Sequence, residues 1–323
     1  MEQNHGVTKS ILDLIGDTEL LKLGRIAPDD CANIYLKMES GNPTGSMKDR
    51  MALAMIEAAE ASGKLEPGGH VVDYTGGTTG VSLAQVCRVK GYPLTLVTSD
   101  AFSLEKRHHM AALGAELVLV ESDKGGMDES LTRRMIEAAR KISAETGAYW
   151  TDQLNNAGQL PAYHRMGEEI WRQTGGTISA FVQSTGTAAS LRGNAERLLD
   201  HNPDLFIMAV EPAESAVLSG GKSGAHRIEG VGPGFIAPLW RPDVVTEITT
   251  VSTEEAKEMT RHLARTEAVF AGTSTGANLV AAIRLGKRLG PSASIVTVMC
   301  DTGMKYLSTG LFDAPSGHLP GST

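Results

Sequence analysis

Short apolar runs alternate along this chain with longer stretches of helical period. The runs Ile34–Met38, Val71–Tyr74, Leu94–Thr98, Leu117–Val120, Phe181–Gln183, Phe206–Val210 and Ile295–Met299 are β-branched or aliphatic. They are mostly not alternating, as strands buried on both faces read. Helical spacing predicts helices over Lys48–Ser62, Gly80–Lys90, Leu104–Leu113, Asp128–Glu145, Leu160–Gln173, Ala188–Asp200, Glu254–Arg265 and Ala277–Leu289. Gly63, Gly91, Gly114, Gly175 and Gly290 follow five of these helices, where a left-handed residue closes the last turn. Strand–helix alternation predicts an α/β fold with parallel sheets covered on both faces. Ligands in such folds sit at the carboxyl ends of the strands, so the chemistry is expected in the turns found there.

Length and composition narrow the field. A chain of 323 residues with 41% apolar and 21% charged residues is ordinary globular material and long enough for two α/β lobes. A net charge of −8 argues against nucleic acid or an anionic membrane as partner. Cys31, Cys87 and Cys300 lie far apart, without the spacing of a zinc site or a disulfide framework, which fits a reducing compartment. No apolar run approaches the roughly 20 residues that span a bilayer, and the start MEQNHGVTKS lacks the apolar core of a secretory leader. A cytoplasmic protein without a metal site is expected. The stretch after Phe312, rich in Pro, Gly and Ser, reads as a frayed end.

Five polar turns hold candidate chemistry. In Asn42–Arg50, Ser46 and Asp49 predict a capping box that places Lys48 in the first helical turn. The helix dipole disfavours a cation there by roughly 0.3–1 kcal/mol, lowers the lysine pKa and so favours the amine as nucleophile and proton carrier. A solvated lysine at a helix start is the plain alternative. In Thr75–Gly80, two adjacent glycines and three threonines suit an anion at a helix N-terminus, carboxylate or phosphate. No lysine follows Gly80, so it is not a Walker loop. Ser184–Ser190 is a second turn of this kind. In Ala271–Ala277 the hydroxyls are expected to cap the following helix. In Cys300–Ser308, Cys300 reads as a small buried apolar residue rather than a nucleophile. His108 and His109, adjacent on one helix, face different ways and make a poor chelate. There is no HExxH, GxSxG or GxGxxG in a strand–helix context, against metalloprotease, α/β-hydrolase and Rossmann readings.

Taken in order, these loops resemble the fold-type II pyridoxal-phosphate (PLP) enzymes, above all cysteine synthase (O-acetylserine sulfhydrylase) and the core of cystathionine β-synthase. The resemblance runs from Ile11 to Thr309. Its most specific part is Asn42–Arg50, which matches NPxxSxKDR and implies that Lys48 holds the cofactor as a Schiff base and acts as the catalytic base. Thr75–Gly80 is similar to the substrate-carboxylate loop TSGNTG. The likeness implies substrate contacts at Thr75, Gly76, Gly77 and Thr79, joined by Gln153. Gly76 replaces the usual Ser. Thr78 replaces the Asn that meets the cofactor ring oxygen. Gly186, Thr187, Ala188, Ala189 and Ser190 match the phosphate cradle GTGGT, and Ser274 the serine that meets the pyridine nitrogen. Glu229–Ile236 resembles the loop GIGAGFIP at the cleft mouth, with Pro233 in place of Ala.

The resemblance implies two three-layer α/β domains of the tryptophan synthase β type. The smaller spans 44–152, with a mobile part near 94–136; the larger comprises 1–43 and 153–323. It implies a homodimer acting on a small amino acid by β-replacement: an O-activated L-serine loses its β-substituent, and sulfide or a thiol adds at Cβ. A hydroxyl at Ser274 does not hold the pyridine nitrogen protonated, which favours loss of a β leaving group over transamination. β-Elimination by a dehydratase or desulfhydrase, and a cystathionine β-synthase activity, stay open. A non-catalytic protein that keeps the anion sites is the alternative from another class.

Overall fold

The structure, a computed structural model, describes residues 7–123 and 129–313. The expected frayed end beyond Asp313 and the first residue of the helix expected from Asp128 lie outside the described residues, as does part of the stretch 94–136.

Among the described residues, ten strands and eight α-helices follow one another. Strands β1 (Leu20–Lys22), β2 (Asn33–Met38), β7 (Ala180–Ser184), β8 (Phe206–Pro212), β9 (Glu247–Val251) and β10 (Ser294–Met299) form one sheet in the order β1-β2-β10-β7-β8-β9. Strands β3 (Val71–Tyr74), β4 (Leu94–Ser99), β5 (Glu116–Val120) and β6 (Tyr149–Trp150) form a second, in the order β5-β4-β3-β6. All neighbours are parallel except β1, which lies antiparallel on β2. The seven strands expected from unbroken apolar runs are all present. β1, β6 and β9 were not expected, for a physical reason. β1 and β6 are three and two residues long, and β9 is a half-buried edge of mixed composition. None of them offers the buried apolar run of a central strand.

The helices are α1 (Lys48–Ala61), α2 (Thr78–Lys90), α3 (Leu104–Ala112), α4 (Glu129–Thr146), α5 (Leu160–Gln173), α6 (Ala189–His201), α7 (Thr253–Glu267) and α8 (Thr273–Leu289). The five glycines expected after helices all have positive φ. Two helices begin two or more residues earlier than expected, α2 at Thr78 instead of Gly80 and α8 at Thr273 instead of Ala277. The reason is shared: each follows a glycine N-cap, and the hydroxyl residues that looked like loop occupy the first helical turn.

One apolar cluster joins the two sheets. It takes Met51, Met55 and Ile56 from α1, Leu83 from α2 and Leu96 from β4, and continues to Ile170, Phe181, Ile207 and Val296. Each side chain of this size contributes roughly 1.5–3 kcal/mol when fully buried. α1 packs on both α2 and α5, so the head of α1, with Lys48 as its first residue, is fixed between the sheets. None of the described helices is long and apolar enough to cross a membrane.

Candidate active site

Lys48 is set by the turn that precedes it. The capping box expected of Ser46 and Asp49 does not form. Ser46 Oγ instead accepts from Lys48 N at 3.1 Å and donates to Cys300 O at 3.2 Å, tying the turn to the end of β10. Asp49 turns back the other way. Its carboxylate accepts from Thr44 N at 2.7 Å, from the Thr44 hydroxyl, and from Ser82 Oγ on α2 at 2.6 Å. Burial raises the Asp49 pKa, against these hydrogen bonds. Arg50 is anchored on the far side, with Nε 2.6 Å from Glu39 and Nη2 2.7 Å from Glu169. Lys37 adds a third cation–anion contact, 2.7 Å from the same Glu169 oxygen. The segment around Lys48 is therefore locked by buried polar pairs on both sides.

The Lys48 amine has no hydrogen-bond or ion-pair partner among the described residues. Burial lowers its pKa, while the nearby Cys300 and Asp301 act the other way. A lysine in this state keeps a share of neutral amine, the form that attacks a carbonyl or takes a proton.

Two adjoining hollows meet at Lys48, which lines both together with Thr78, Gly186, Thr187, Gly230 and Val231. The first also holds Ala188, Ser190, Ser274, Cys300 and Asp301. Here the turn before α6 presents its backbone. The N–H groups of Gly186, Thr187, Ala188 and Ser190 have no protein acceptor among the described residues, and Ala189 N reaches only the Thr187 hydroxyl at 3.4 Å. Ala188 is the N-cap and sits at φ +65, a left-handed conformation. A Cβ at Gly186 would lie 2.3 Å from Gly230 O, so the backbone passes too close for any side chain. The Ser190 hydroxyl is already engaged, exchanging hydrogen bonds with the Gln183 amide at 2.8 and 3.2 Å. What this residue leaves available is its N–H.

The second hollow holds Gly76, Gly77, Thr79, Phe102, Gln153 and Pro233. Thr75 is fully buried, and its hydroxyl accepts from Gly77 N and Gly80 N at 2.9 Å each, which closes the turn upon itself. Gly77 needs φ +118, and a Cβ there would strike Lys106 at 2.3 Å. The N–H groups of Gly76, Thr78 and Thr79 have no protein acceptor among the described residues. Gln153 accepts from Thr79 Oγ1 at 3.1 Å and donates to Tyr74 O at 2.7 Å, so both ends of its amide hold the turn in place.

The hydroxyls expected to cap α8 do other work. Thr273 Oγ1 accepts from Glu229 N at 3.3 Å and Thr275 Oγ1 from Cys300 N at 3.2 Å, while Ser274 stands beside the Cys300 thiol. Cys300 is buried and free, and burial pushes its thiol up to about 11, in keeping with an inert apolar residue. His108 and His109 are exposed, as their helix position implied.

Sequence reasoning gave no role to Asp301 or Lys106. Asp301 Oδ2 accepts from Thr78 Oγ1 at 3.1 Å and from Tyr306 OH at 2.8 Å, while Oδ1 is buried without a partner. Lys106 pairs with Glu229 at 2.5 Å and lies 4.0 Å over the Tyr306 ring, joining α3 to the loop at the cleft mouth. The only sequence signal for Asp301 was its place after a buried strand; Lys106 looked like a surface residue of a charged helix.

A family model described as pyridoxal-phosphate dependent enzyme matches residues 11–301. The chain belongs to this family. A cysteine synthase of Staphylococcus aureus is 39% identical over 306 residues, covering 94% of this chain and 96% of that protein. Among solved structures, a cysteine synthase of Entamoeba histolytica superposes with a TM-score of 0.90 at 31% identity, covering 99% of this chain and 95% of the other. A hydrogen sulfide-producing enzyme of Fusobacterium nucleatum gives 0.88 at 33% identity, covering 93% and 100%. The two-sheet α/β architecture expected of the fold-type II family is thereby shown.

The site fits the family's cofactor on its own observations. An unpaired lysine amine faces a turn of free N–H groups at the head of α6, the arrangement that takes a phosphate. The buried, unpartnered oxygens of Ser184 and Asp301 beside it await a polar group.

Proposed function

We propose that this chain catalyses PLP-dependent β-replacement on an O-activated L-serine such as O-acetylserine, with sulfide or a thiol as nucleophile, giving L-cysteine or a related amino acid. The observation that supports this best is the position of the Lys48 amine. It is buried, unpaired and depressed in pKa, and it separates a phosphate-type cradle from a carboxylate-type turn.

Lys48 would hold the cofactor, with Gly186, Thr187, Ala188, Ala189 and Ser190 around its phosphate and Ser274 and Thr78 beside its ring. Bound there, pyridoxal phosphate supplies an electron sink for the bond broken at Cα. The chain's own groups do the rest. The Lys48 amine takes the Cα proton and later returns it. The free N–H groups of Gly76, Thr78 and Thr79 receive the substrate carboxylate, with Gln153 holding Thr79 in position. Asp301 orients the Thr78 hydroxyl. The loop from Glu229, tied to α3 through Lys106, covers the cleft and limits water at the reacting carbon.

The same reading assigns residues 44–152 to a smaller domain whose part near 94–136 moves on closure. It also takes the protein as a cytoplasmic homodimer acting on a small amino acid.

β-Elimination is the second reading, favoured by the likeness to the hydrogen sulfide-producing enzyme and by Gly76, which puts no hydroxyl in the substrate turn. One experiment separates the two. The holoenzyme is given O-acetylserine, O-phosphoserine, serine and cysteine in turn, with and without sulfide, while cysteine, pyruvate and absorbance are followed. Cysteine formed only with sulfide supports replacement. Pyruvate and ammonia released at the same rate with or without sulfide overturn it in favour of elimination. Lys48→Ala abolishes turnover in either case, and normal turnover by that variant refutes the role of Lys48.

A further inference from the structure

A third hollow, of about 310 Å³, lies between the start of α3, the stretch 226–229 and the turn 306–311. No sequence motif pointed to it. Its lining is rich in cations without partners. The Arg107 guanidinium makes no hydrogen bond or ion pair with any described residue, and its Nε is shut off from solvent. Ser103, at the head of α3, is 5% exposed, and its hydroxyl neither caps the helix nor meets any partner. The Arg227 side chain is also without a partner among the described residues. Lys257 reaches only Glu254, at 3.2 Å on its own helix.

The acids of the wall are already engaged. Glu229 is held by Lys106 at 2.5 Å, and Asp100 accepts from Ser122 N at 2.8 Å and Ser99 Oγ at 3.0 Å. His226 uses both ring nitrogens, towards Gly232 O at 2.9 Å and Ile228 N at 3.3 Å. The hollow therefore offers donors and two unpaired guanidinium groups, while each acid of its wall is already hydrogen-bonded or ion-paired. A closed-off guanidinium nitrogen and hydroxyl without partners are costly unless something fills the space.

We propose that this hollow binds a small organic phosphate. The Arg107 fork and Arg227 would take the phosphate oxygens, as guanidinium groups do, with Ser103 donating beside them. The organic part would lie on Phe102, Ile228 and Leu311. Phe102 also lines the Gly76 hollow and Glu229 the Lys48 hollow, so a ligand here touches two walls of the catalytic cleft and couples to its closure.

The test is calorimetric titration of the holoenzyme at low salt with AMP, inorganic phosphate and inorganic sulfate. Its readout needs no turnover, so it stands or falls apart from the β-replacement reading. One equivalent of AMP is expected to bind beyond the cofactor already present, at least about tenfold tighter than inorganic phosphate, a difference of about 1.4 kcal/mol. Arg107→Gln is expected to weaken AMP about tenfold or more and Ser103→Ala severalfold. Arg227→Gln, on an exposed residue, replaces Arg107→Gln if that variant does not fold. No saturation by about 10 mM AMP overturns the proposal. So does binding that is undiminished in the arginine variants, or phosphate binding as tightly as AMP.

Discussion

Asp49, the residue after the candidate cofactor lysine, accepts a hydrogen bond from Ser82 of α2 at 2.6 Å. The lysine turn and the helix that follows the substrate-side turn are thus joined through one buried carboxylate. Asp49→Ala leaves Thr44 N, the Thr44 hydroxyl and the Ser82 hydroxyl without their acceptor. The expected cost is about 1.5–3 kcal/mol in stability, with a lower turnover rate because Lys48 is no longer held. Urea unfolding of the holoenzyme and initial rates check this. An unchanged midpoint with unchanged rate would show that the link is idle.

The Glu169 carboxylate sets an acid limit on stability. Burial alone would raise its pKa, but Arg50 and Lys37 outweigh that and hold it down at about 2, against 4.5 ordinarily. A depressed carboxylate stabilises the fold fully above the unfolded value. That contribution is lost as pH falls from about 4.5 towards 2. Glu169→Gln strands buried cations and is expected to cost about 3–5 kcal/mol near neutrality. Below pH 4.5 its stability should fall less steeply than that of the parent. Parallel slopes in thermal melts across pH 3 to 7 would refute the assignment.

Gly76 faces Phe102. A Cβ at position 76 would lie 3.2 Å from the Phe102 ring, closer than an ordinary contact. Gly76→Ser is therefore expected to cost about 1–3 kcal/mol by overpacking and to raise KM for the amino-acid substrate. Gly76→Ser with Phe102→Leu should recover most of the lost stability. If the double variant shows only the sum of the two single losses, the crowding argument fails.

Ala188 holds a left-handed conformation at the head of α6, where the resemblance expects glycine. That conformation costs an alanine about 1–2 kcal/mol, and glycine brings back about 0.5–1 kcal/mol of chain entropy. Ala188→Gly should therefore stabilise the apoprotein by about 0.5–1 kcal/mol. Ala188→Val, branched at Cβ, should lose stability and retain the cofactor less well. Equilibrium unfolding and cofactor dialysis measure both, and a destabilised Ala188→Gly would contradict the strain.

The apolar runs and helical spacings were enough to read every central strand and all eight α-helices of the described residues, because buried parallel strands and amphipathic helices leave strong local patterns. The glycine turns at the strand ends could be read for the same reason: backbone that approaches an anion or turns left-handed restricts which residues fit. A role for Lys48 came from the resemblance, since the turn by itself suited a solvated lysine at a helix start equally well. Partnerships across the fold could not be read. Whether Ser46 caps its own helix or reaches Cys300, whether Asp49 turns to Ser46 or to Ser82, and what Thr78 meets all depend on which segments pack side by side. Asp301 and Lys106 acquire their roles only there. A hydrogen bond over 223 residues of chain leaves no periodicity behind, and only the tertiary packing decides it.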